Sequence, residues 1–89
     1  MRNRDVVRAW REGRAASGGH IHTDGCKLWS YALIIGNTLM HGTQYAKKVA
    51  YDYTAPKHFA SMTTSCHVGL AKQVADLVTE PSPYWHRSG

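Results

Sequence analysis

The first residues of the chain place apolar and polar side chains with the period of an α-helix. At 100° per residue, Val6, Val7 and Trp10 fall on one arc, and arginines occupy the arc beside it. Glycines and serine interrupt this pattern further on. The spacing therefore predicts an amphipathic helix over residues 3–12, followed by a loop over residues 13–19.

The middle of the chain has the two-residue alternation and the short apolar runs that are typical of β-strands. Asp24 and Gly25 form a dipeptide that strongly indicates a hairpin turn. Residues 36–44 include two glycines and predict a longer loop. Strands are predicted over residues 20–23, 27–35, 48–53 and 59–63.

A second helix is predicted over residues 66–78. Thr64 or Ser65 is expected to be its N-cap, because a side-chain oxygen there can accept a hydrogen bond from the first turn. Prolines at positions 81 and 83 end the pattern. The apolar stripe of this helix consists of Leu70, Val74, Leu77 and Val78.

These elements predict an α+β fold with two layers. A three- to four-stranded antiparallel sheet is covered on one face by an N-terminal and a C-terminal helix. The domain is expected to span residues 1–80, with residues 81–89 as a C-terminal tail. The aromatic side chains expected on inward faces are Trp10, Trp29, Tyr31, Tyr51, Tyr53 and Phe59.

Composition narrows the class of protein. With 89 residues, 43% of them hydrophobic and 19% charged, the chain has a globular composition and room for one domain. Its longest apolar run, residues 31–35, is far shorter than the roughly 18 residues that a membrane span needs. We therefore expect a cytoplasmic protein with no membrane partner and no secretory signal.

The charge indicates an anionic partner. Eleven Lys and Arg residues against six Asp and Glu residues give a net charge of +5, and the pI is about 9.5. Such a balance favours binding to nucleic acid or to an acidic protein surface, although it also serves solubility. The candidate contact residues are Arg4, Arg8, Arg11, Arg14, Lys47 and Lys48.

Histidines and cysteines offer a possible metal site. A strand would place His20 and His22 on one face, with Cys26 just beyond the turn. Cys66 and His67 are neighbours at the start of the second helix. None of these spacings is a known zinc motif such as CxxC or HxxxH. We expect free thiols, no metal and no cofactor, and we keep a zinc site of His20, His22 and Cys26 as the third hypothesis.

Catalysis has little support in the sequence. Adjacent helical residues point about 100° apart, so Cys66 and His67 do not by themselves form a nucleophile–base pair. The carboxylates are scattered, and the sequence contains neither a phosphate-binding loop nor a nucleophile-elbow motif. The prediction is a protein that is not an enzyme.

Three segments and a preceding stretch carry a resemblance. The stretch is Val6-Val7-Arg8-Ala9-Trp10. The segments are Thr23-Asp24-Gly25 with Leu28, Ser30-Tyr31 and Ile35-Gly36; Val49, Tyr51 and Tyr53-Thr54-Ala55; and Thr63-Thr64-Ser65 with His67-Val68 and Ala71. In this order and spacing, over about residues 5–78, the chain resembles small uncharacterised proteins of phages and other mobile elements.

The resemblance implies a binder of host machinery, and anti-CRISPR proteins are similar in being small, single-domain and usually non-enzymatic. Many of those proteins are acidic DNA mimics, whereas this chain is basic. What the resemblance then implies is steric inhibition of a host defence complex, such as a CRISPR effector subunit, through the basic residues. The alternative hypothesis is a small basic nucleic-acid-binding protein.

Overall fold

The computed structural model of the chain describes residues 2–53 and 61–80. Within these residues it contains two helices and six strands. In chain order they are α1 (Asn3–Arg11), β1 (Ala15–Ser17), β2 (Ile21–Asp24), β3 (Leu28–Ser30), β4 (Leu33–Leu39), β5 (Lys47–Tyr51), α2 (Met62–Val74) and β6 (Leu77–Thr79).

The strands form one sheet in the order in which they occur along the chain, β1 to β6. The first five pair antiparallel, whereas β6 joins β5 in parallel after the crossover through α2. Both helices lie against the same face of the sheet and contact each other. The α+β class is as predicted, but the sheet has six strands and mixed pairing rather than three or four antiparallel strands.

Helix α1 follows its sequence pattern closely. Val6, Val7, Ala9 and Trp10 are buried, and the helix ends at Arg11, one residue before the predicted end. Trp10 lies so close to β4 that a Cβ atom on Gly36 would come within 2.8 Å of the indole ring. Only glycine fits at that point, so the packing of α1 on the sheet depends on the absence of a side chain at position 36.

Strand β1 lies inside the segment predicted to be a loop. It has three residues, and Ala15, Ala16 and Ser17 pair with Asp24, Thr23 and His22 of β2. Small side chains over so short a length leave no hydrophobic alternation to detect. Pairing with a neighbouring strand, rather than intrinsic preference, makes this segment extended.

The prediction of one long strand over residues 27–35 is wrong. A tight turn at residues 31–32 divides it into β3 and β4, and β4 then continues through residues 36–39 of the predicted loop. Tyr31 takes a φ of 58° in this turn, a value usual for glycine or asparagine. A tyrosine and an alanine give no turn signal in the sequence.

Helix α2 begins four residues earlier than predicted. The Ser61 hydroxyl, rather than Thr64 or Ser65, accepts the capping hydrogen bond, from the backbone N–H of Thr64. Leu77 and Val78 belong to β6 instead of to the apolar stripe of the helix. Met62 and Thr63 of the predicted fourth strand are helical, while residues 59–60, including Phe59, and the tail over residues 81–89 lie outside the described residues.

No helix within residues 2–53 and 61–80 has the length and apolar character that crossing a membrane requires.

Candidate functional site

A concave surface lies between the two helices. Helix α1 turns its apolar arc toward the sheet, and Arg4 and Arg8 lie on the side that borders α2. The groove there has a volume of about 180 Å³. Its lining residues are Arg4, Val7, Arg8, Leu70, Gln73 and Val74.

The groove combines an apolar floor with a cationic border. Val7 is buried, and Leu70 and Val74 are half-buried, whereas Arg4 and Arg8 are exposed. Among the residues that the structure describes, neither of these two arginines forms an ion pair. Their guanidinium groups, with five N–H donors each, are open to an anionic group on a partner. We name the surface formed by the six lining residues the α1/α2 groove.

The other two predicted arginines have partners within the chain. Arg11 donates from Nη1 to Asp76 Oδ2 at 2.7 Å, and Arg14 forms an ion pair with Glu12. The backbone N–H of Lys48 and the Arg11 side chain together hold the pKa of Asp76 below its usual value. These bonds tie α1 to the segment before β6 and partly neutralise both arginines.

The two adjacent lysines point in opposite directions, because they follow one another on a strand. Lys47 is exposed as expected. Lys48 is only 5% exposed, so the prediction that Lys47 and Lys48 are both contact residues on the surface is wrong for Lys48. Lys48 is therefore not a surface contact residue.

Lys48 is a buried cation with specific partners. Its Nζ donates to the Gly25 carbonyl oxygen at 2.9 Å and to Thr38 Oγ1 at 2.8 Å. The same nitrogen lies 5.5 Å from the centre of the Trp10 ring, which adds a cation–π contact. Burial lowers the pKa of the ammonium below its usual value. The side chain joins the β2–β3 turn, β4, β5 and α1, which is a structural role.

A second buried polar cluster joins α2 to the sheet. Ser30 Oγ lies 2.7 Å from His67 Nδ1 and 3.0 Å from Thr64 Oγ1. Burial, and then the charge of nearby His20, lowers the pKa of His67. A hydroxyl beside an imidazole is the start of a nucleophile–base pair. Ser30 is fully buried, however, so a substrate has no access to it.

Two pairs of stacked rings lie on the sheet, and strand alternation places His22 and Trp29 on the face opposite the helices. His22 and Trp29 have ring centres 4.9 Å apart with planes at 10°, and His20 and Tyr31 have ring centres 4.6 Å apart with planes at 19°. Tyr31 is 49% exposed, so its expected inward position is wrong, and Trp29 is only half-buried. Trp10, Tyr51 and Tyr53 are buried, as predicted.

The residues of the zinc hypothesis are not brought together. Both histidine rings stack on aromatic side chains, and the Cys26 thiol lies 3.7 Å from Asn37 Oδ1. Within the described ranges, no three His, Cys, Asp or Glu side chains are placed to hold one metal ion. Cys26 and Cys66 are free thiols.

The sequence pattern found the arginines of the groove but missed the ring pairs. His20 and His22 were identifiable as side chains of one strand face, but their cross-strand partners follow only from the register of β2 and β3. No protein-family model, no curated protein and no solved structure matches the chain.

Proposed function

We propose that the chain is a non-enzymatic protein of the host cytoplasm that binds a host defence complex and inhibits it by steric blockade. The partner that fits the resemblance is a subunit of a CRISPR effector. The observation that supports binding is the α1/α2 groove, where two arginines without ion-pair partners among the described residues border an apolar floor.

The groove favours a particular kind of partner surface. Its volume of about 180 Å³ accommodates an apolar side chain or two, and the cations beside it match carboxylates flanking that side chain. Arginine is suited to this task, because its planar fork can bind a carboxylate through two hydrogen bonds. The proposed contact is an acidic segment with a central apolar anchor.

Inhibition by occlusion needs only affinity and size. A standard protein interface buries roughly 800 Å² on each partner, which exceeds the groove and extends over both helices. The apolar anchor and the arginines then supply most of the binding energy, while surrounding contacts exclude water. Arg4 and Arg8 are the central contacts, and Arg11, Arg14 and Lys47 lie outside the groove.

The test uses bacteria that carry an active CRISPR system and a phage that this system targets. Expression of the chain is expected to restore plaque formation by orders of magnitude. The double variant Arg4→Glu/Arg8→Glu is expected to lose this effect, because it reverses the charge of the groove. The purified effector is expected to bind the chain with a stoichiometry that nuclease treatment does not change.

A matched control separates the groove from net charge. Arg14→Glu/Lys47→Glu changes the total charge by the same amount but alters side chains outside the groove, and it is expected to retain the effect. Equal loss in both double variants would show that net charge, not the groove, is responsible. No restoration of plaques in any CRISPR type tested would exclude the proposed inhibition.

A further inference from the structure

A row of rings crosses the sheet face that the helices leave open. His22 on β2 opposes Trp29 on β3, and Trp29 opposes Ile34 on β4. His20 and Tyr31 form a second stacked pair, where the residue before β2 meets the β3–β4 turn. Tyr31 is 49% exposed and the two histidines are exposed, whereas Trp29 is half-buried between His22 and Ile34.

Tyr31 is held in this position at a conformational cost. Its φ of 58° is in the left-handed region, where a bulky side chain is an outlier and glycine or asparagine fits better. The strained residue is nevertheless 49% exposed, so the strain does not bury its ring. Residues held in sparsely populated backbone conformations cluster at functional sites.

The same face carries cations. Leu28 and Lys48 face the helices and are buried, so strand alternation places the neighbouring Lys27 and Lys47 on the open face. Asp24 is the carboxylate beside Lys27, and it accepts hydrogen bonds from two backbone N–H groups of the β2–β3 turn. Those bonds hold its pKa below the usual value.

We infer that this open face binds single-stranded nucleic acid. Bases stack on the rings of His20, Tyr31, His22 and Trp29, and the lysines attract the phosphates. Stacking on aromatic side chains accepts every base, so binding has little sequence preference. A duplex hides its ring faces between neighbouring base pairs, so this surface favours single strands over duplexes.

This site differs from the α1/α2 groove in place and in ligand. The arginines of the groove lie on the helix layer, whereas strand alternation places His22 and Trp29 on the other side of the sheet. The inference therefore does not depend on the proposed inhibition. Either surface can be altered while the other is left unchanged.

The experiment measures fluorescence anisotropy of labelled (dT) and (rU) strands of about 12 nucleotides, a length within the range of known single-strand sites. Tyr31→Asn and Trp29→Ala are each expected to weaken binding by about 5- to 150-fold. Tyr31→Asn suits the left-handed backbone, so its fold is retained and the loss is assigned to the ring. The logarithm of the affinity is expected to fall linearly with the logarithm of the salt concentration, with a smaller slope in Lys27→Gln/Lys47→Gln.

Tyr45→Ala is the matched control, because Tyr45 is a 62% exposed tyrosine in the β4–β5 loop and belongs to neither stacked pair. It is expected to bind as the parent chain does. Several results would overturn the inference: no binding at low salt, equal affinity for a duplex of the same length, or unchanged affinity in Tyr31→Asn. Binding lost only in Arg4→Glu/Arg8→Glu would instead assign the nucleic acid to the helix layer.

Discussion

The two helices lie on the same sheet face but are held there by different interactions. Helix α1 buries Val6, Val7 and Trp10, and Trp10 Nε1 donates a hydrogen bond to the Cys26 carbonyl oxygen at 3.0 Å. Helix α2 buries Thr64 and His67 beside Val68 and Ala71, and its polar side chains bond to Ser30.

The two kinds of interaction differ in how much they stabilise the fold and in how narrowly they fix the position of a helix. Apolar burial contributes in proportion to area and tolerates small rotations of a helix. A buried hydrogen bond contributes only about 0.5–1.5 kcal/mol net, but its geometry is narrow, and leaving a partner unsatisfied is costly. We therefore expect α1 to supply more of the stability, and α2 to be the part whose position depends on protonation and on single polar atoms.

The largest expected effect is that of Trp10→Ala. Removing this buried ring costs about 3–5 kcal/mol in the free energy of unfolding, because it leaves a cavity and uncovers Lys48. Urea denaturation followed by circular dichroism measures the change. In a chain of this size such a loss approaches the whole stability, so Trp10→Phe serves as a graded variant with a smaller loss.

Trp29→Ala provides the control for that experiment. Trp29 is the same residue type on the open sheet face and is half-buried, so its removal is expected to cost clearly less. Similar losses from both tryptophans would contradict the assignment of stability to the α1 side of the sheet.

The same difference explains which helix could be predicted from the sequence. Helix α1 was predicted to within one residue, since its buried positions are apolar and helically spaced. The start of α2 was placed four residues late, because Thr64 and His67 are polar and do not count as core in an apolar pattern. His67 Nδ1 and Ser30 Oγ of the sheet are hydrogen-bonded to each other.

The candidate surfaces also differ in how far they could be predicted from the sequence. Arg4 and Arg8 were found because charge on one arc of a helix is visible in the sequence. The burial of Lys48 was not predictable, because its acceptor, the Gly25 carbonyl, belongs to a turn distant in sequence. The ring pairs required the turn at Tyr31, whose residues carry no turn signal.

The next largest effect is expected from Ser30→Ala, which removes the hydroxyl that His67 and Thr64 share. Because Nδ1 of a fully enclosed imidazole then lacks a partner, the variant is expected to lose about 1–3 kcal/mol. A double-mutant cycle of Ser30→Ala with His67→Phe measures the coupling between the two side chains. A coupling energy near zero would mean that packing alone, as in α1, holds α2.

The third effect is a dependence of stability on pH through His67. Its pKa is lowered in the folded chain, below the ordinary value of 6.5, so the unfolded chain takes up the proton first as the pH falls. The contribution of neutral His67 to the free energy of unfolding is therefore fully present above about pH 6.5. Below that pH it decreases, by at most about 1.4 kcal/mol per pH unit.

Urea midpoints between pH 8 and pH 5 measure this loss above the range in which Asp24 and Asp76, with their lowered pKa values, titrate. His67→Gln is expected to show a flatter profile than the parent chain. An unchanged slope in this variant would assign the pH dependence to other groups and would remove the protonation sensitivity from α2.

The smallest effect concerns the first turn of each helix. Ser61 caps α2 through its hydroxyl, so Ser61→Ala is expected to cost about 1 kcal/mol. Helix α1 has Arg2 at its N-cap position and no side-chain capping bond, and Asn3 lies within the helix, so Asn3→Ala is expected to change stability little. Both substitutions remove a polar side chain from the start of a helix, and they differ in whether that side chain caps it. Equal losses in urea denaturation would mean that α1 also depends on polar contacts, whereas a loss confined to Ser61→Ala extends the difference between the helices to their first turns.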